Sequence, residues 1–250
     1  MRRYHGHGAG FTLMEVTIAM ALGTAVMAGT LVLTQAMSAS ARLQDNLGAI
    51  QEHARFAMAS LGGEITQAGY HPRPWEGVAS EPFSGSADDI SQHGDKLAVN
   101  RWTDHNCHEN PNPERDAAGN PAFFLRTSVF EIREDGQLSL SCSYGPDAAR
   151  LVRQINRLGL IEHVHSLQAL YAVDTNADGN ADRWLAFGQW HESARVMAVR
   201  VGLLLLSPGI FGDAGSKEAL NLAGATLDTP DDRLYRLVET TWALIGRVQS

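Results

Sequence analysis

The stretch GAGFTLMEVTIAMALGTAVMAGTLVLT, residues 8–34, decides the fold. One carboxylate, Glu15, stands at the start of a run that contains no further charged residue before Arg42. The purely apolar or small part, residues 16–33, would form a helix of about 27 Å, which approaches the thickness of the hydrocarbon core of a bilayer. An unpaired carboxylate at the edge of that core costs a few kcal/mol, so Glu15 requires a partner.

Three interpretations of this segment compete. A signal peptide would explain Arg2, Arg3 and the small residues at 36–41, but its apolar core should be shorter than this one. An uncut membrane anchor would explain the length of the apolar run and leave Glu15 without a partner. In the third interpretation the chain is cut just before the apolar helix, and the helix then packs against neighbouring subunits. Glu15 would pair with a cation of such a neighbour.

The residues Gly10, Phe11, Thr12, Leu13 and Glu15 resemble the cleavage motif of type IV prepilins. The resemblance implies that a prepilin peptidase cuts after Gly10 and that Phe11 becomes a methylated amino terminus. It also implies that Glu15 pairs with such an amine on a neighbouring subunit, while the apolar helix becomes the packing core of a filament.

An apolar stripe continues the helix beyond the membrane segment. Its members are separated by three or four residues, as on one face of a helix: Leu43, Leu47, Ile50, Ala54, Ala57, Leu61 and Ile65. Charged residues fall on the other faces: Arg42, Asp45, Glu52, Arg55 and Glu64. We therefore expect one helix over residues 11–68, stopped by Gly69, Pro72 and Pro74, with its stripe on a soluble domain; a coiled-coil partner helix is the alternative.

The rest of the chain predicts β-structure. Strands are expected at 96–102, 166–174, 195–207 and 233–246, with 195–207 as the central strand, and a hairpin over 123–144 that turns at Asp135 and Gly136. A long helix followed by an antiparallel sheet indicates an α+β fold in which the helix covers one face of the sheet.

The order of these elements is similar to that of PilW-like minor pilins of the type IV pilus. The landmark stretches are residues 43–70, 170–184, 196–207 and 232–247, whereas the insert at 106–121 departs from the family. The resemblance implies a pilin-like fold with a prepilin leader (1–10), a transmembrane and assembly half-helix (11–37), an amphipathic half-helix (38–70) and a periplasmic β-rich domain (71–250). A large pseudopilin of a type II secretion system and a membrane-anchored periplasmic binding module are the alternatives.

The same resemblance implies partners and location. The partners would be the prepilin peptidase, other major and minor pilins and the inner-membrane assembly platform of the pilus. The chain would cross the inner membrane once, hold its soluble domain in the periplasm and then enter the pilus, where it would help to start or assemble the filament.

The stretch DTNADGNAD carries oxygen ligands at every second position: Asp174, Asn176, Asp178, Asn180 and Asp182. Alternate oxygen ligands with Gly179 at a sharp turn match the first half of a calcium loop, but Leu185 stands where the bidentate glutamate is expected. The alternative is a turn rich in Asn and Asp that joins two strands. Calcium is therefore one prediction for this loop and a bare turn is the other.

Two cysteines, Cys107 and Cys142, allow a disulfide, two free thiols or part of a metal site. The oxidising periplasm favours the disulfide, which would tether the insert to the hairpin. No spacing typical of a zinc site accompanies Cys107.

Composition and motifs exclude several classes of function. A net charge of -8 and the absence of any run of Lys or Arg argue against nucleic-acid binding. Neither a phosphate-binding loop, a nucleophile elbow nor a zinc-protease motif is present in the sequence. We therefore expect a protein that is not an enzyme and requires no cofactor.

Overall fold

The structure is a computed structural model that describes residues 11–73, 81–89, 93–191, 195–210, 220–227 and 233–244. The chain divides into two compact units, Met1–Leu47 and Gly48–Ser250. The predicted leader and Gly10 lie outside the described residues, as do short parts of the loops and the last predicted residues of the final strand.

One helix, α1, runs from Leu13 to Ile65 over 53 residues, which confirms the predicted continuous helix to within a few residues at each end. It begins after Thr12, and residues 66–69 form a turn beyond its end. Gly69 adopts a φ of 73°, which an L residue rarely tolerates, and its N–H donates to the carbonyl of Asn100 at 2.7 Å. The end of the helix is thereby tied to the first strand.

The described strands form two four-stranded antiparallel sheets and one small hairpin. The first sheet has the order β1-β2-β3-β4: Leu97–Thr103, Phe124–Ile132, Leu138–Gly145 and Val152–Ile161. The second sheet has the order β10-β7-β5-β6: Arg233–Ala243, Arg195–Ile210, Val164–Asp174 and Arg183–Leu185. The hairpin pairs β8, Leu220–Leu222, with β9, Ala225–Leu227.

The predicted α+β class and the main strands are confirmed, but the strands form two four-stranded sheets where one sheet was expected. The hairpin of β2 and β3 closes through a three-residue loop, because Arg133 N–H donates to the carbonyl of Gln137 and Gly136 N–H donates to that of Arg133. Gly136 takes a φ of 75°, as a turn of this length requires. The loop includes the predicted Asp135 and Gly136 but is one residue longer than the two-residue turn that this pair favours. The sequence analysis also missed the short strands β8 and β9, and it missed β4, whose exposed residues do not alternate with buried ones.

A single buried cluster joins the later half of α1 to both sheets. From Ile50 onward the predicted stripe is buried, whereas Leu43 and Leu47 remain more than a third exposed. Trp242 of β10 packs directly on Gly62, where an added Cβ would meet the indole nitrogen at 2.5 Å. The stripe therefore covers the domain from Ile50 to Ile65, and its first two members lie in the amino-terminal unit.

Candidate functional site

The amino-terminal unit carries an apolar helix surface that its own chain does not cover. Phe11 and Leu13 are each 86% exposed, and the large apolar side chains that follow are also exposed up to Met37. The helix is long and apolar enough to cross a membrane, and none of its most apolar segment is buried within the structure. Such a surface requires lipid or other helices around it.

The hydroxyl groups of this segment are satisfied by the helix itself. Each donates to a backbone carbonyl three or four residues earlier at 2.8–2.9 Å: Thr17, Thr24, Thr30, Thr34 and Ser38. A polar group without a partner costs several kcal/mol in hydrocarbon, and these bonds remove that cost. The hydroxyls are therefore compatible with a lipid or helix-packed environment.

Glu15 caps the amino-terminal end of α1 together with Thr12. Its N–H donates to Thr12 Oγ1 at 3.2 Å, and its Oε2 accepts from Thr12 N and Thr12 Oγ1, both at 3.4 Å. This reciprocal arrangement is a capping box, which satisfies backbone donors that the first helical turn leaves free. The signal, Thr followed three residues later by Glu, stands in the sequence, but the sequence analysis assigned Glu15 to assembly alone.

The predicted calcium loop connects β5 to β6. Asp174 is only 1% exposed, and its carboxylate accepts from the N–H groups of Asn176 at 3.2 Å, Ala177 at 2.7 Å and Gly179 at 3.0 Å. Asp182 accepts hydrogen bonds from Thr175 Oγ1 at 2.6 Å and from Thr175 N at 2.8 Å. Both bonds lower the pKa of Asp182, and the bond from the Thr175 hydroxyl contributes most.

The side chains of Asn176 and Asp178 also form hydrogen bonds within the loop. Asp178 accepts from Asn180 N at 2.8 Å and from the amide of Asn176 at 3.2 Å. Within the part of the chain that the structure describes, no group of three or more His, Cys, Asp or Glu side chains is arranged to hold a metal ion. The structure brings the five predicted residues together in one hydrogen-bonded hairpin loop, and calcium binding stays a prediction.

Cys107 and Cys142 form a disulfide across 35 positions of sequence. Cys142 lies in β3, and Cys107 lies in the insert. The backbone N–H of Cys107 donates to Gln154 Oε1 of β4 at 2.9 Å. Both sulfurs are buried beside Tyr144, Phe124 and Ile155. The bond therefore fastens the insert to the first sheet, as the sequence analysis expected.

A buried ionic cluster was missed by the sequence analysis. Glu64, which the sequence placed outside the apolar stripe of α1, accepts from Arg126 Nη2 at 2.9 Å and from Ser128 Oγ at 3.0 Å. It also lies 3.4 Å from Arg101 Nε. Arg101 and Arg126 face each other in register on β1 and β2, and their side chains are only 10% and 6% exposed. Glu109 of the insert also pairs with Arg126, at 2.6 Å. This hydrogen bond is the main reason that the pKa of Glu109 is lowered. Glu64 therefore holds the end of α1 on the first sheet.

Asp95 is a second buried carboxylate that the sequence analysis did not single out. Its oxygens accept from Asp89 N at 2.8 Å and from Ala169 N of β5 at 2.7 Å. Burial raises the pKa of Asp95 to about 6, although the two backbone hydrogen bonds act in the opposite direction. It joins the loop before β1 to the second sheet.

One protein family matches part of the folded domain. Residues 129–245 match the family model of the type IV pilus-assembly protein W, PilW, which confirms the predicted resemblance over that range. A type IV-like pilin from Thermus thermophilus is similar in structure at 17% sequence identity and a TM-score of 0.47, over 83% of this chain and 98% of that one. The comparison with curated proteins found no match.

Proposed function

We propose that this chain is a minor pilin that takes part in the assembly or initiation of a type IV pilus. The observation that carries the proposal is the exposed apolar helix, with Glu15 at its start, directly after the prepilin-like residues Gly10 and Phe11. The match of residues 129–245 to the type IV pilus-assembly protein W supports the same assignment for the folded domain.

The mechanism follows from the charge and the apolar surface at the amino terminus. A prepilin peptidase cuts after Gly10, and the new amine at Phe11 is methylated. The helix then resides in the inner membrane with the domain in the periplasm. In the growing filament, the helix surface moves from lipid to other pilin helices, so its apolar side chains stay out of water throughout.

Glu15 supplies the directional interaction in this mechanism. A carboxylate at the edge of an apolar layer is stabilised by a nearby cation, and the amine of a neighbouring pilin provides one. Within the described residues, Glu15 Oε2 accepts the capping bonds of Thr12, and its second oxygen makes no hydrogen bond. The cap and the pairing between subunits can therefore coexist on one carboxylate.

The test separates the charge of Glu15 from its capping role. Glu15→Gln keeps a capping side chain and loses the charge, whereas Glu15→Ala loses both. The chain is followed in membranes and in sheared pili of the native host, with Glu52→Gln, on an exposed part of α1, as the matched control. We expect both Glu15 variants to reach the membrane and to decrease in the pilus fraction by at least about tenfold.

Other outcomes would assign the chain differently. Normal pili with Glu15→Gln but not with Glu15→Ala would mean that Glu15 acts only as a cap. Loss of exoprotein secretion with normal pili on deletion of the gene would indicate a large pseudopilin. Full function of Glu15→Ala would indicate a membrane-anchored binding module.

A further inference from the structure

Three of the four outer edges of the two larger sheets are covered or interrupted. Along β1, the N–H groups of Asn100 and Trp102 donate to the carbonyls of Pro82 and Tyr70. Residues 93–95 bond in the same way to the part of β5 that β6 leaves free, and β6 itself has only three residues. The register of β4 on β3 shifts three times. Covered, short and irregular edges all prevent the pairing of a further strand.

β10 is the fourth outer strand, and most of it is regular. Its register on β7 shifts between Arg233 and Tyr235 and is continuous from there to Ala243. Leu244 N–H donates to the carbonyl of Met197 in β7 at 3.0 Å. Because hydrogen-bonded and non-hydrogen-bonded pairs alternate along an antiparallel ladder, the even-numbered residues of β10 point their backbone groups at β7. The odd-numbered residues point theirs away from the sheet.

The outward backbone groups belong to four residues: Leu237, Glu239, Thr241 and Ala243. In the part of the chain that the structure describes, no group donates a hydrogen bond to their carbonyls or accepts one from their N–H groups. Two of the side chains are turned back over the sheet. Glu239 accepts from the N–H of Ala223 in the β8–β9 hairpin, and Thr241 accepts from Arg200 Nε of β7. β10 therefore presents an open row of backbone donors and acceptors.

We propose that β10 pairs with an extended segment of a partner protein, which adds an antiparallel fifth strand to the second sheet. The backbone selects this occupant, because an extended polypeptide repeats N–H and C=O groups at the spacing of a strand. An antiparallel arrangement continues the pairing of every strand in this sheet. The proposal needs only the folded domain and does not depend on the pilus role given above.

The side chains of β10 specify the sequence pattern of that segment. Val238 and Trp242 pack against the core cluster that includes α1, whereas Glu239, Thr241 and Ala243 are exposed on the other face. Directly opposite residues of an antiparallel pair lie on the same face of the sheet. The partner segment should therefore alternate apolar side chains beside Val238 and Trp242 with polar ones on the exposed face. We expect a cation opposite Glu239, in a chain whose net charge is -8.

The probe is the peptide KVKVKVKVK, which has this alternation and carries fluorescein at its amino terminus. Its binding to the full chain in neutral detergent is measured by fluorescence anisotropy. In the proposed pairing, the lysines lie opposite the odd-numbered residues and point their N–H groups at β10, whereas the valines point theirs at water. We expect N-methylation of the backbone at three lysines to weaken binding by at least about tenfold, and the same change at three valines by less than about twofold. The two methylated peptides have the same charge and composition, so non-specific attraction would affect them equally.

A proline in the edge tests the same pairing from the side of the protein. Thr241→Pro removes an outward N–H and no bond to β7, and proline is tolerated at such positions of edge strands. We expect it to weaken binding of the unmethylated peptide by at least about fivefold. Ala148→Pro is the control, at the exposed first residue of the short 3-10 helix Ala148–Arg150, directly after the extended Asp147. It should change binding by less than about twofold, because proline suits the first position of a helix.

Failure of the wild-type chain to bind KVKVKVKVK would overturn the proposal. So would equal binding of the two methylated peptides, or equal losses in Thr241→Pro and Ala148→Pro. Sedimentation of the chain without peptide tests the rival occupant. A wild-type oligomer that Thr241→Pro dissociates would mean that a second copy of this chain covers the edge, and the partner segment would then be wrong.

Discussion

Glu64, the penultimate residue of α1, accepts a 2.9 Å hydrogen bond from Nη2 of Arg126 in β2. Arg126 in turn faces Arg101 directly across the strand pair. Two like charges in register on adjacent strands repel each other, and the helix carboxylate between them compensates that repulsion. Within the second unit, the end of α1 is thus held on the first sheet by charge as well as by the apolar stripe.

Glu64→Gln tests this role. The substitution leaves two poorly solvated guanidinium groups opposite each other, so we expect the free energy of unfolding to fall by about 3 kcal/mol. Urea unfolding of the full chain in detergent, followed by circular dichroism, measures the change. Glu52→Gln, an exposed acid of the same helix, should stay within about 0.5 kcal/mol of wild type. A loss equal to that of Glu52→Gln would contradict the compensating role.

Two adjacent glycines give opposite predictions for the packing of α1 on β10. An added Cβ at Gly62 would meet the Trp242 ring at 2.5–3.1 Å, whereas at Gly63 it would meet nothing within 4 Å. Gly63→Ala should therefore stabilise the chain by about 0.5–1 kcal/mol through helix propensity. Gly62→Ala should destabilise it by about 1–3 kcal/mol because Trp242 must move. The same sign for both substitutions in urea unfolding would contradict this packing.

Asp95 predicts a pH dependence of stability. Its pKa of about 6 in the folded chain lies above the ordinary value of 3.8, so between these values the folded chain retains a proton that the unfolded chain has released. The free energy of unfolding should fall by about 2 kcal/mol as the pH rises from about 4 to about 6, and then level off. Asp95→Asn should remove this component of the pH profile, while Asp45→Asn, an exposed acid of α1, should retain it. Identical profiles for wild type and Asp95→Asn would contradict the assignment.

The loop between β5 and β6 gives a fourth prediction. Asp174 is the buried acceptor of three N–H groups, so Asp174→Ala should cost about 2–3 kcal/mol in the presence of a chelator. Asp178→Ala, at an exposed position, should cost less than about 1 kcal/mol. The melting temperature of the chain in calcium, compared with that in a chelator, decides between the two interpretations of the loop. A rise in melting temperature that both substitutions abolish establishes calcium, and equal melting temperatures leave an Asx-rich turn.

The sequence predicted those features that depend on local periodicity. The uncharged apolar run and the stripe from Ile50 to Ile65 specify one helix, and the apolar residues 195–207 specify one of the two inner strands of the second sheet. β4 was missed because its pairing depends on bulges and on contacts with β3, which leave no alternation of buried and exposed residues.

The missed site residues share one physical cause. Glu64 and Asp95 are acidic, and a charged side chain is usually solvated, so the local pattern gives no sign that either one is buried. Both are buried because residues distant in sequence supply donors: Arg126 and Ser128 for Glu64, and Ala169 for Asp95. Only the tertiary fold brings such donors together.

The central claim is that the chain is processed as a pilin and assembled through its apolar helix. The measurement that tests it most directly is the intact mass of the protein extracted from membranes of the native host. We expect a chain that begins at N-methylated Phe11, with Glu15 retained at the start of the helix. A chain that still carries residues 1–10, or one that is cut near Ala41, would contradict it.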